Sequence, residues 1–349
     1  MRQECLSYLK CIECNGQSLN LNSFTESGDH VITGKITCSC GAEYPIINGV
    51  PRILKKNLLE GVLKHYKMDM DKDFSSQRIE KITDIQEQTM DAFGYEWTYY
   101  SDYDADNYYD WMPEGFKPEE GFLNKTGLEV GCGAGRHAAK TSQWAKTHIA
   151  VDLSYAVDSA FVLNKDTKNC HIIHADAFNL PFKEKSFDYV YCLGVIQHMH
   201  NPPEGFTHLA KFPKQDGILL VNAYQASRRF LTGILEVVRQ ITIRMPAPML
   251  NFLCYIAGII DYSFCLAWKG IVKLGLGKIL GPIVPERVKE YSKHSFKTVV
   301  ADWYDRLACP KKFHYTREEV GAWYENANYV NIRVTPYWKA FWNGYGERP

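Results

Sequence analysis

At 349 residues the chain is longer than one average domain, and its 46% hydrophobic and 23% charged residues are the balance of a folded globular protein. Lys+Arg and Asp+Glu stand at 40 each, a formal net charge of zero. That argues against a dedicated nucleic-acid binder, whose phosphate contacts call for a basic excess. The opening MRQECLSYLK lacks the basic-then-apolar pattern of a secretory signal, so a cytoplasmic protein is expected.

Residues 1–54 hold two tight pairs among eleven cysteines, Cys11-x-x-Cys14 and Cys38-x-Cys40. Four thiolates in tetrahedral array make a closed structural zinc site. A CxxC pair clasps an ion from a tight turn. The CxC pair is less usual, so either one of its members is not a ligand or its knuckle is tighter. With Gly41-x-x-Tyr44-Pro45-Ile46 and the Gly49-Val50-Pro51 turn, the stretch 8–54 resembles the zinc-ribbon-like domain of tRNA-methyltransferase activator proteins. A metal here would be structural, because so short a domain has little core of its own. The alternative is a domain that kept the fold and lost the metal.

Residues 55–124 are charged at first and then unusually aromatic, from Phe93 to Trp111. From 125 to 224, short apolar runs alternate with helical patterns, which is the signature of parallel βαβ units. Strands are expected over Gly127–Val130, His148–Val151, His171–His174, Phe187–Cys192 and Gly217–Asn222, with a helix starting near Gly135. The first strand runs into LEVGCGAGRHA, the form Glu129-x-Gly131-x-Gly133-x-Gly135. Glycines there let the backbone turn tightly and approach a ligand that a Cβ would block. Dinucleotide-binding sequences share the beginning of this turn, but the spacing here is GxGxG and not GxGxxG. Asp152, at the end of the second strand, is placed to accept hydrogen bonds from both ribose hydroxyls of a nucleoside. Asp176, after the third, can meet an adenine edge.

Residues 225–312 read as an apolar insert. Within it Ala247–Trp268 carries a single formal charge, Asp261. That run is long enough to span a bilayer, which takes ~20 residues, or to lie in a membrane interface. The reading preferred here is a helical cap over an acceptor pocket. Residues 313–349 read as a strand, a helix over Glu318–Asn326 and a strand over Tyr329–Thr335.

The series over 126–224, returning at 313–335, resembles the S-adenosylmethionine-dependent methyltransferases of the large "type 11" family. The resemblance implies an α/β fold: a Rossmann-like class I methyltransferase sheet, mostly parallel with a closing antiparallel strand. The domains are then a zinc-ribbon-like domain at 1–54, a linker and aromatic lid at 55–124, and the methyltransferase domain at 125–349 with its insert at 225–312. By the same resemblance Glu129, Gly131, Gly133 and Gly135 hold the methionine part of the cofactor. Asp152 takes the ribose, Asp176 and Ala177 the adenine, and Cys192 with Leu193 walls cofactor from acceptor. One departure is Pro213-Lys214-Gln215-Asp216-Gly217, where the family has a Lys-Pro-Gly-Gly turn. Gln88-Thr89 and Phe93-Gly94-Tyr95-Glu96-Trp97 resemble the N-terminal lid of such enzymes.

His198, after the fourth strand, is the first candidate for a general base, and His314 is the second; a positional hydrogen-bonding role for His198 is the alternative. The expected activity is methyl transfer from S-adenosylmethionine to a small-molecule acceptor such as a sugar, lipid or natural-product intermediate. The alternatives are an RNA methyltransferase that grips RNA with its zinc module, and a non-catalytic scaffold. The expected cofactors are S-adenosylmethionine and structural zinc on Cys11, Cys14, Cys38 and Cys40. Peripheral membrane contact through 247–268 remains open.

Overall fold

The structure, a computed structural model, describes residues 1–68, 84–100, 108–226, 229–337 and 340–349; residues 101–107 of the aromatic stretch lie outside these. A meander of β1 (Leu19–Ser27), β2 (His30–Cys38), β3 (Glu43–Ile47) and β4 (Val50–Ile53) opens the chain. After helices α1 (Lys56–His65) and α2 (Asp84–Tyr99) come the parallel strands β5 (Thr126–Val130), β6 (Thr147–Asp152), β7 (Cys170–Ala175), β8 (Phe187–Cys192) and β9 (Pro213–Gln225). Between them run α3 (Arg136–Thr141), α4 (Val157–Asn164) and α5 (Pro202–Leu209). The insert supplies α6 (Arg229–Thr242), α7 (Ala247–Lys273), α8 (Glu286–Tyr291) and α9 (Phe296–Ala308). The chain ends in β10 (His314–Tyr315), α10 (Arg317–Asn326), β11 (Val330–Tyr337) and β12 (Phe341–Glu347).

All these strands form one sheet, ordered β1-β2-β3-β4-β7-β6-β5-β8-β9-β12-β11, with β10 beside the end of β9. Strands β5 to β7 are buried almost throughout, as expected of parallel strands covered on both faces. Alternation sorts their side chains. Leu128, Val130, Val190 and Cys192 join one core, and Tyr189 and Tyr191 another on the opposite face. This is the mostly parallel, Rossmann-like sheet with an antiparallel closing strand that the sequence led us to expect. Two differences from the sequence reading stand out. The closing unit has two strands, because β12 pairs antiparallel between β9 and β11. And the N-terminal module does not have a separate core. β4 pairs parallel with β7, Leu9 bridges to Phe182, and Cys11 and Tyr44 share one apolar cluster with Leu128 and Val130. Buried Arg52 keys the joint, ion-paired to Asp158 and 3.1 Å from His174 Nδ1.

The insert also departs from expectation. Helices α6, α8 and α9 contribute to the wall of the central cavity, but no residue of α7 does. Helix α7 instead packs along the far side of α9 through Leu250, Cys254 and Val300. Gly258 permits this approach, since a Cβ there would lie 2.6 Å from Val300. Among the described residues α7 is the helix long and apolar enough to cross a membrane by length and composition.

Candidate functional site

The chain leaves β5 for β6 and β7 on one side and returns to β8 and β9 on the other. This leaves a switch point between β5 and β8, where open α/β sheets bind ligands at the carboxyl ends of their strands. A cavity of about 1600 Å³ opens there. Its floor is the loop after β5. Gly131 (φ +87°) and Gly133 (φ +51°) both take left-handed backbone. A Cβ on Gly131 would run into Val195, and one on Gly133 would press on Trp97 of α2 at 3.3 Å. Arg136 stacks over the same indole at 4.9 Å.

The loop is pinned to the end of β6. Gly131 N and Cys132 N donate to Val151 O at 2.8 and 3.0 Å. Gly133 N donates to Asp152 Oδ2 and Ser154 N to Asp152 Oδ1, both at 2.7 Å. Burial raises the Asp152 pKa, while these donors oppose the rise. A carboxylate offers about four lone-pair sites, so Asp152 keeps acceptor capacity on its cavity side. Asp176 accepts from Phe178 N and Asn179 Nδ2, each at 3.1 Å. Asp176, Ala177 and Leu193 line the cavity with Gly131, Gly133 and Asp152.

Three of the residues assigned to the cofactor do not face it. Glu129 lies on the opposite face of β5, where its Oε2 accepts from Tyr191 at 2.9 Å and meets His148 Nε2 at 3.1 Å. Side chains alternate along a strand, so its neighbour Val130 points the other way and lines the cavity. Gly135 does not line the cavity. It starts α3 in left-handed backbone against α4, where a Cβ would lie 2.6 Å from Asn164 Nδ2. Cys192 is fully buried in the core beneath the sheet's end, and only Leu193 reaches the wall.

His198 lines the cavity from the turn after β8, its Nδ1 2.9 Å from Cys309 Sγ. Burial first, and then the Lys312 charge, depress its pKa to about 3. It is therefore a neutral imidazole of low proton affinity, suited to hydrogen bonding and poor as a general base. His314 stacks on Tyr224 at 5.6 Å in the same wall.

Beyond the glycine loop the cavity holds groups that sequence reasoning missed. Glu96 of α2 is 3% exposed, and its Oε2 has no partner. Burial, and then the Asp305 charge, push its pKa up from the usual carboxylate value. Arg239 of α6 is 2% exposed, with Nε unpartnered. Lys312 Nζ meets Asp305 at 2.5 Å. Burial acts to raise Asp305, and the Lys312 charge outweighs it. These residues come from α2, α6, α9 and the segment after α9, separations that no local motif reveals.

At the other end of the molecule the structure gathers all four predicted thiols. The Sγ atoms of Cys11, Cys14, Cys38 and Cys40 lie within 4.8 Å of one another, with Cys11–Cys40 and Cys14–Cys38 at 3.6 Å. Four sulfurs about 2.3 Å from one zinc ion stand about 3.8 Å apart, so the set fits a tetrahedral ion. The tighter knuckle is made by Gly41 (φ +91°), whose N–H donates to Cys38 O at 2.9 Å. Tyr44 OH lies 3.2 Å from Cys11 Sγ.

Residues 128–221 match the family model described as a methyltransferase domain. The chain is 33% identical over 101 residues to the uncharacterized methyltransferase YcgJ of Bacillus subtilis, covering 28% of this chain and 40% of that protein. It thus spans less than half the length of this curated relative. The solved structure of YcgJ aligns with 26% identity over 35% of this chain and 55% of that one, at a TM-score of 0.32. A SAM-dependent methyltransferase from Aquifex aeolicus aligns over 70% of this chain and 95% of that one, at 15% identity and a TM-score of 0.40.

Proposed function

We propose that the chain transfers a methyl group from S-adenosylmethionine to a polar small-molecule acceptor. The observation that carries this reading is one continuous cavity. At one end lie a glycine cradle and an aspartate held by two backbone amides. At the other lie buried polar groups with unfilled hydrogen-bonding capacity. Gly131 and Gly133 would admit the methionine part, Asp152 the ribose diol, and Asp176 with Ala177 the adenine. Trp97 roofs the loop and excludes water. When bound, the cofactor supplies an electrophilic methyl group on a sulfonium. The chain's own contribution is positioning, which supplies much of the rate in such in-line displacements. Arg239 Nε is an unpartnered donor and Glu96 Oε2 an unpartnered oxygen, and a buried ligand group would satisfy each. Leaving such groups unpaired costs about 1–3 kcal/mol each.

Cys11, Cys14, Cys38 and Cys40 would hold zinc in a closed, structural site. The test of function is incorporation of labelled methyl from S-adenosylmethionine, offered with a small-molecule extract and, separately, with total RNA. Label in the small-molecule fraction that is lost in Asp152→Ala supports the proposal. Label in RNA alone overturns the acceptor class.

A further inference from the structure

The helical insert presents a surface that the cavity does not use. Fifteen of the 23 large apolar side chains that are exposed among the described residues fall between 237 and 283. Helix α7 is the centre of this patch. Its buried positions, Leu250, Asn251, Cys254, Gly258 and Cys265, form one stripe against the insert. Its opposite stripe carries Phe252, Ile256, Ile259, Ile260, Phe264 and Leu266, which are 44–65% exposed. Spacings of three, four and seven place these on one face. The only formal charge in 247–268, Asp261, is turned inward, 2.5 Å from Arg287 and 3.1 Å from Trp303 Nε1. The outward face of α7 therefore carries no charge over six turns, and an apolar patch this continuous marks an interaction surface.

Inside the patch the exposed charges are all basic, while the acidic Glu236 and Glu286 lie just beyond its two ends. Between 237 and 285 the sole acidic residue is Asp261, while Arg244, Lys269, Lys273 and Lys278 are exposed at its two ends. We infer that this face docks on an anionic lipid bilayer, with α7 lying in the interface plane. Apolar side chains would enter the headgroup boundary and the flanking basic residues would meet acidic headgroups. Helix α7 lies on the membrane and does not span it, because one side of it is committed to α9 and to the Asp261–Arg287 pair. The inference does not depend on the methyl-transfer reading, since no α7 side chain lines the cavity.

The experiment is co-sedimentation of the full chain with phosphatidylcholine vesicles with and without phosphatidylglycerol. Two variants accompany it, Phe252→Asp/Ile256→Asp/Ile259→Asp and Lys269→Glu/Lys273→Glu/Lys278→Glu. We expect binding to the anionic vesicles that weakens in high salt, and a loss of roughly tenfold or more in either variant. Unchanged thermal midpoints and S-adenosylhomocysteine affinity would show that both variants are folded. The lysine variant alters only exposed positions, so it serves even if the aspartates unfold the insert. Absence of vesicle binding overturns the inference, as does full binding by both folded variants. So does light scattering that finds a lipid-free dimer split by the same aspartates, because the face would then belong to a second copy.

Discussion

Replacing Gly131 with alanine perturbs the cofactor cradle at its tightest point. The residue sits at φ +87°, where an L side chain costs roughly 1–2 kcal/mol. The new Cβ would also meet the Val195 isopropyl group well inside contact distance, and overpacking of this kind costs about 1–3 kcal/mol. Summed, the variant should lose roughly 2–5 kcal/mol, a fall in thermal midpoint on the order of 3–7 °C for a chain of this size. Differential scanning calorimetry would measure the midpoint, and titration with S-adenosylhomocysteine the cradle. Adding Val195→Ala should recover the steric share and leave the backbone share, so the double variant should melt between the single variant and the parent. A Gly131→Ala protein that melts within a degree of the parent and binds with the same affinity would refute the reasoning.

Elemental analysis should find about one zinc per chain, lost in Cys14→Ser; since the module shares its core and sheet with the methyltransferase strands, metal loss should lower the midpoint of the whole chain. A metal-free preparation with an unchanged midpoint would contradict both statements. Burial and Asp305 push Glu96 toward its neutral form, so the neutral isostere Glu96→Gln should melt within a degree or two of the parent at pH 7; a large loss would contradict that direction. Buried, neutral His174 and His198, depressed to about 3, and His171, depressed to about 4, bind fewer protons folded than unfolded. Stability should therefore be at its full level above about pH 6.5 and fall as pH drops toward 4, by up to about 1.4 kcal/mol per pH unit for each group. Denaturant titrations with equal midpoints at pH 7 and pH 5 would refute this.

What could be read in the sequence follows from which signals are local. The five parallel strands are continuous apolar runs, and the glycine turn, Asp152 and Asp176 lie within a residue or two of strand ends, so pattern alone places them at the switch point. The capping box Thr316–Glu319 marks the start of α10. Reading the glycine motif as one unit groups Glu129 with the loop, whereas strand alternation turns its side chain to the face of Tyr191 and His148. Strand β12 escaped because Asn343, Gly344 and Gly346 are poor strand formers. The glycines are needed there, since Cβ atoms at 344 and 346 would lie 2.8 and 2.5 Å from Tyr324. The apolar run 247–268 offers no contrast between faces, so nothing local tells a pocket cap from an outward surface. The cluster of Glu96, Arg239, Asp305 and Lys312 joins segments more than 60 residues apart at their widest gaps, and only the fold brings them together.

The central claim is that the Gly131–Asp152 end of the cavity is a nucleoside cofactor site. Isothermal titration of S-adenosylhomocysteine into the parent chain and into Asp152→Ala tests it most directly. One site per chain is predicted, with affinity weakened in the variant by about 1.5–3 kcal/mol, the value of hydrogen bonds to a charged acceptor. Equal affinity in the two proteins, or no binding to the parent, would contradict the account.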